Sequence, residues 1–307
     1  MVGLLFPGQG SQYVGMGRDL AEGYPAARKV FERADEALGT SLTGVMWSGP
    51  EAELTATHNA QPAILTHSVA VHTLVADRLG DVGLAAGHSL GEFSAHVAAG
   101  TLGFEDAVRA VRRRGELMFE SGERRPGAMA AIIGLDDDVV ERVCREAAEA
   151  GGDCVPANYN TPGQIVISGD EPAVVRAMEM AKEAGARRAL PLNVSGAFHS
   201  PLMEVAESGL REHLAEVRFS ASTFPVVSNV AAEPVSDAEE ARRLLIEQLT
   251  SPVRWTASMR TMLERGVDRF VELGPGRVLA GLMRRIERSA DVVSLDTAEQ
   301  LDSFLEG

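Results

Sequence analysis

A Gly-x-Ser-x-Gly run, Gly87-His88-Ser89-Leu90-Gly91, follows the apolar stretch Val82–Ala86 and opens a helical pattern beginning near Leu90. Strand, sharp turn and helix in that order lift a serine above a sheet edge in a strained backbone conformation. Gly87 and Gly91 remove side chains that would collide with the neighbouring strand and helix. The helix start beneath also offers free N–H groups to developing negative charge. An attacking serine is therefore expected. Whether its acyl group passes to water or to another acceptor is left open.

The surroundings suit such a turn. Short apolar runs, Val2–Phe6, Val82–Ala86, Pro225–Ser228, Arg269–Leu273 and Asp291–Leu295, read as strands. They alternate with helical patterns at Pro25–Leu38, Pro62–Leu79, Leu90–Ala99, Glu105–Ser121, Pro201–Ala215, Ala238–Leu249, Trp255–Arg265 and Arg277–Arg288. Three of these open on proline, whose fixed φ suits a first helical position. Alternation of this kind predicts an α/β fold, a parallel sheet flanked by helices.

The middle of the chain changes rhythm. Strands at Ala128–Leu135, Cys154–Asn158, Gln164–Ser168 and Arg188–Leu192, with helices at Asp138–Ala150 and Glu171–Ala184, run in the order βαββαβ of a ferredoxin-like unit. Residues 126–195 are thus expected to form a small inserted subdomain, and residues 1–125 and 196–307 the large core.

A second glycine-rich turn, Phe6-Pro7-Gly8-Gln9-Gly10-Ser11-Gln12, follows the first strand and should lie at the same carboxyl edge as Ser89. It has neither the Gly-x-Gly-x-x-Gly spacing nor the lysine of a phosphate-binding loop. The net charge of −15 argues against nucleic acid as the main partner. No apolar run approaches the about 18 residues of a membrane span, and the start MVGLLFPGQG lacks the pattern of a signal peptide. Cys144 and Cys154 match no metal or redox spacing. A cytoplasmic protein without metal or bound cofactor is expected.

Among seven histidines, His199 is the strongest candidate base. It lies in a loop ending at a helix predicted to begin near Pro201, whose positive end would favour a neutral imidazole. Two polar residues fall where apolar ones belong. Arg114 sits within the stripe Ala107, Ala110, Val111, Leu117 and Met118, and Gln248 lies on the stripe of Ala241, Leu244 and Leu245. A guanidinium there either snorkels out or holds a buried anion. Beside an acyl-serine, it suggests an acyl group that carries its own carboxylate.

Six motifs occur in order: Pro7-Gly8-Gln9-Gly10-Ser11-Gln12, Gly87-His88-Ser89-Leu90-Gly91-Glu92, Arg114-Gly115, Asn160-Thr161-Pro162-Gly163-Gln164, Phe198-His199-Ser200 and Glu272-Leu273-Gly274-Pro275-Gly276. Together they resemble the malonyl-CoA:acyl carrier protein transacylases of type II fatty acid synthesis, and also the acyltransferases of polyketide synthases. The resemblance spans nearly the whole chain. It implies a hydrolase-like core with a ferredoxin-like insertion, Ser89 as nucleophile, His199 as base and the amides of Gln9 and Leu90 as oxyanion hole. It also implies Arg114 on the malonyl carboxylate, Asn160 among the substrate-binding residues, and Gln248 offering an oxygen that orients the imidazole. Phe198 beside the base would fill the space of an α-substituent, favouring malonyl over methylmalonyl. Malonyl-CoA and an acyl carrier protein are the implied partners. A trans-acting polyketide acyltransferase and an acyl-CoA serine hydrolase stay open as alternatives.

Overall fold

A computed structural model describes residues 1–306. The strands are, in chain order, β1 (Val2–Phe6), β2 (Val82–Gly87), β3 (Gly127–Ile133), β4 (Cys154–Thr161), β5 (Gln164–Asp170), β6 (Arg188–Pro191), β7 (Val226–Val227), β8 (Pro234–Val235), β9 (Arg269–Leu273) and β10 (Asp291–Leu295). Six of them form one sheet in the order β10-β9-β1-β2-β7-β8. Its first four pairings are parallel, and only β7 with β8 runs antiparallel.

Successive strand residues face opposite sides, and here both sides are covered. Leu4, Phe6, Ala85 and Val271 belong to one apolar core, whereas Leu5, Ala86, Val227 and Phe270 belong to another. Strands buried on both faces read as continuous apolar runs, which is why β1 and β9 have the bounds the sequence predicts; β10, a half-buried edge strand, has its expected bounds too. Among the described residues no helix is long and apolar enough to cross a membrane.

The second sheet is antiparallel, in the order β4-β5-β3-β6. The helices Asp137–Glu149 and Glu171–Glu183 cover one face of it, packing Val140, Val143 and Ala177 on Ala130, Ile132, Ile165 and Ile167. The opposite face, with Met129 and Ala131, joins the main core. A backbone seam ties the sheets together: Val253 N–H donates to the Ala157 carbonyl at 2.8 Å, Tyr159 N–H to the Val253 carbonyl at 2.9 Å, and Arg254 N–H to the Asn229 carbonyl at 3.0 Å.

Two expected helix starts differ. The helix assigned from Pro62 begins at Thr57 and holds Pro62 inside it. A proline lacks the N–H donor and crowds the carbonyl four residues back. Pro62 is the sixth residue of the helix, so the bond that an N–H there would make to the His58 carbonyl is forgone. Burial of almost every residue from Asn59 to Val71 holds the segment helical. Pro201 opens a short 3-10 turn, Pro201–Met203, and the α-helix itself starts at Glu204.

Candidate active site

Ser89 stands between β2 and the helix Leu90–Ala98 with φ 50° and ψ −107°, a strained conformation for a residue with a side chain. The glycines explain how the turn closes. A Cβ on Gly91 would lie 2.0 Å from the Phe6 carbonyl oxygen, and one on Gly87 would lie 1.9 Å from the Gly91 backbone. The serine's own backbone is held on both sides. Its N–H donates to Asn229 Oδ1 at 2.7 Å, and its carbonyl accepts from Gln248 Nε2 at 3.1 Å.

His199 arrives on the segment that leaves β6, also with positive φ, 55°. Its Nε2 is 2.8 Å from Ser89 Oγ. Its Nδ1 faces the carbonyls of Gln248 at 2.9 Å and Ser251 at 3.2 Å. Carbonyls only accept, so Nδ1 carries the proton and Nε2 is free to accept from the serine hydroxyl. Burial, with a smaller contribution from the Arg114 charge, lowers the imidazole pKa to about 3. The ring is neutral for that reason, and not because of the helix end the sequence suggested, since only a 3-10 turn follows it.

Arg114, on the helix Phe104–Arg124, is 1% exposed. Its Nη1 donates to Gln61 Oε1 at 2.8 Å, and its Nη2 donates to Gln248 Oε1 at 2.8 Å and to Ser89 Oγ at 3.1 Å. Burial lowers its pKa to about 10, which leaves it charged at neutral pH. A Cβ on the next residue, Gly115, would lie 2.6 Å from His58 Cα. The missing side chain lets this helix approach the helix Thr57–Val75 closely enough for Gln61 to reach the guanidinium.

Gln248 caps the helix Ala238–Glu247. It does offer an oxygen to the imidazole, but from its backbone; the side-chain oxygen goes to Arg114. Its Nε2 also donates to Glu92 Oε2 at 2.6 Å, and the Asn229 N–H donates to the same oxygen at 3.2 Å. Burial raises the Glu92 carboxyl to about 7.

The turn after β1 lies against the elbow, so that a Cβ on Gly8 would sit 2.4 Å from the His88 carbonyl oxygen. Gln9, Ser89, Leu90, Arg114, Phe198 and His199 line one cleft of about 210 Å³. Among the described residues nothing accepts from the backbone N–H of Gln9 or of Leu90. Two free amide donors thus belong to residues that line the same cleft as the Ser89 hydroxyl. Asn160 stands apart from this group, in an adjoining cleft of about 300 Å³, where its Oδ1 accepts from the half-buried His88 Nε2 at 2.8 Å. Chemically, the site joins an activated serine to a fixed buried cation and two unused amide donors.

The sequence reading missed Gln61, Glu92 and Asn229. Glu92 alone left a signal, as an acid inside the run Leu90–His96 whose neighbours are small or apolar.

Comparison with known proteins places this arrangement. Residues 4–300 match the acyl transferase domain family. The malonyl CoA-acyl carrier protein transacylase of Bacillus subtilis is 46% identical over 301 residues, covering 98% of this chain and 95% of the relative. The enzyme of the same name from Escherichia coli is 45% identical over 303 residues, with 98% of each chain covered. The acyl carrier protein S-malonyltransferase of Vibrio cholerae superposes with a TM-score of 0.95 at 43% identity, covering 98% of this chain and 99% of that one. A malonyl-transacylase solved in complex with a type II polyketide acyl-carrier protein gives 0.94 at 43% identity, with 99% of each covered. With this identity spread over almost its whole length, the chain belongs to the acyl transferase domain family, in the company of the malonyl CoA-acyl carrier protein transacylases.

Proposed function

We propose that this chain moves a malonyl group from malonyl-CoA to the phosphopantetheine thiol of an acyl carrier protein. One observation carries the reading: a buried, charged Arg114 donates to the hydroxyl of a serine that is already paired with a neutral imidazole. A cation fixed beside a nucleophile suits an acyl group ending in a carboxylate.

Ser89 Oγ attacks the thioester carbonyl while His199 Nε2 takes the hydroxyl proton. The Gln9 and Leu90 amides receive the oxyanion. Collapse breaks the carbon–sulfur bond, and the departing coenzyme A sulfur takes the proton from His199. The carrier thiol then repeats the sequence in reverse, giving its proton to His199 as it attacks the malonyl-serine ester, and the proton returns to Ser89 Oγ. The carbonyls of Gln248 and Ser251 hold the imidazole, the task of an aspartate in serine proteases.

The large sheet with its elbow is a hydrolase-like core, and residues 126–195 form a ferredoxin-like insertion; the strand order β4-β5-β3-β6 with two helices on one face supports that description. A cytoplasmic place of action belongs to the same proposal. The relative solved with a polyketide carrier keeps a polyketide carrier in view as the acceptor.

Intact-protein mass spectrometry after brief mixing with malonyl-CoA tests the proposal. The expected result is a malonyl adduct on Ser89 that persists in water and leaves when phosphopantetheinylated carrier is added. An adduct that decays without carrier would indicate a hydrolase, and no adduct in folded protein would sink the acyl-serine mechanism.

A further inference from the structure

Glu92 is fully enclosed behind the nucleophile, and the steps above make no use of it. Its Oε2 accepts from Gln248 Nε2 at 2.6 Å and from the Asn229 N–H at 3.2 Å. Those two partners are the residues that grip Ser89. Asn229 accepts from the serine N–H and donates from Nδ2 to the Gly87 carbonyl at 2.7 Å, while Gln248 donates to the serine carbonyl.

We propose that Glu92 is the positioning residue of this site, one carboxylate oxygen holding the strained serine from both backbone sides and turning the Gln248 side-chain oxygen toward Arg114. This rests on the acyl-serine function proposed above. An ionised carboxylate only accepts. It therefore fixes which end of the Gln248 amide faces it: the NH₂ group points to Glu92 and the oxygen to the guanidinium. The opposite orientation would set amide donors against guanidinium donors and leave the carboxylate facing an oxygen. Neither contact is tolerable in a water-free interior.

The same geometry makes the hold depend on ionisation, because a proton on Glu92 turns part of an acceptor into a donor. The other titratable or charged groups around it are Arg114 on the helix Phe104–Arg124, His199 on its loop, His88 in the elbow and His96 on Glu92's own helix. Burial lowers His199 and His96 to about 3, so both stay neutral between pH 6 and 8, and it shifts His88 in the same direction. Arg114 keeps its charge throughout that range. Burial brings the Glu92 carboxyl to about 7, which leaves Glu92 as the group of this cluster that titrates there.

The test is the rate of the first half-reaction, malonylation of Ser89 by malonyl-CoA in rapid-quench mass spectrometry, in wild type, Glu92→Gln and Glu92→Ala. No carrier is present, so no acceptor thiol contributes to the pH profile. A small misplacement of reacting atoms costs up to about a hundredfold. The maximal rate is expected to fall about tenfold in Glu92→Gln, which keeps an acceptor oxygen, and about a hundredfold in Glu92→Ala, with KM for malonyl-CoA within about twofold. In wild type the rate should rise about fivefold from pH 6 to pH 8, and in Glu92→Gln it should stay flat. If Glu92→Ala fails to fold, Glu92→Gln still decides. A Glu92→Gln protein that is folded and keeps the wild-type rate, or keeps the wild-type pH limb, overturns the assignment. Failure of the wild-type protein itself to form an adduct overturns the acyl-serine mechanism and this assignment together, and is recognisable because no variant is needed to see it.

Discussion

Ser89 and His199 meet at 2.8 Å from two segments that each hold a positive φ, 50° and 55°. Neither residue is a glycine, so each conformation costs energy that only the surrounding bonds can offset. For Ser89 these are the Asn229 and Gln248 contacts; for His199 they are the two carbonyls on Nδ1 and the burial of the ring. Replacing His199 by alanine removes the proton acceptor and leaves the serine hydroxyl with only the Arg114 donor. The malonylation rate should drop by about 10² to 10⁴-fold, read by rapid-quench mass spectrometry, while Ser89→Ala should give no adduct at all. A His199→Ala protein within a few-fold of wild type would mean that another group accepts the proton.

Arg114 should decide which acyl groups load. With malonyl the guanidinium gains a carboxylate partner; with acetyl it stays a buried charge facing amide oxygens. Losing one partner of a buried charge pair is expensive. In Arg114→Ala the malonyl-over-acetyl ratio of kcat/KM should fall about a hundredfold or more. Competition between the two thioesters, scored by adduct mass, measures it. An unchanged ratio would place the acyl carboxylate elsewhere.

Phe198 lines the cleft next to the base and is itself largely buried. A filter against α-substituents requires this ring to occupy the volume that an α-methyl group needs. Shortening it to serine should raise methylmalonyl loading relative to malonyl by about tenfold, in keeping with the discrimination one methyl group allows. Wild-type protein that already transfers methylmalonyl efficiently would remove Phe198 as a filter.

The buried histidines should make the fold acid-sensitive. Burial lowers His96 to about 3, below its value in the unfolded chain. Between those two values the unfolded state binds the extra proton, so stability is present at neutral pH and is lost as pH falls from 6.5 toward 3. His96→Gln should unfold in urea with a pH slope between pH 4 and 6 that is shallower than wild type by up to about 1.4 kcal/mol per pH unit, one proton's worth. Glu92 acts with the opposite sign. Its raised value gives stability that is lost as pH rises through about 7. Identical slopes in wild type and His96→Gln would show that His96 is not held neutral in the fold.

Much of the site was legible because its residues break a pattern. Arg114 stands out on an amphipathic helix, where one polar group interrupts an apolar stripe. Ser89 stands out because two glycines mark the turn. Gln61 does not, since its helix is buried nearly all round and presents no polar face against which a polar residue looks misplaced; Glu92 shows only as a single acid in a short run of small and apolar residues. Asn229 follows a strand of only two residues, too short for alternation to register. The helices Arg18–Gly23, Leu42–Ser48 and Glu51–Thr55 escaped for a related reason. None exceeds seven residues, about two turns, and a period of 3.6 needs more than that to show.

Val253 has a consequence for how the two sheets can move. It is bonded through both its N–H and its carbonyl to β4, two residues beyond the Ser251 carbonyl that faces His199 Nδ1. The following residue, Arg254, bonds to Asn229, which holds the nucleophile. Base support, nucleophile support and small sheet are therefore links of one short chain with no slack between them. A jaw-like opening of one sheet from the other would have to break backbone bonds and detune the dyad in the same motion. Substrates therefore enter and leave a cleft whose two sheets stay fixed on each other, so that the catalytic pair stays in tune while the guest exchanges.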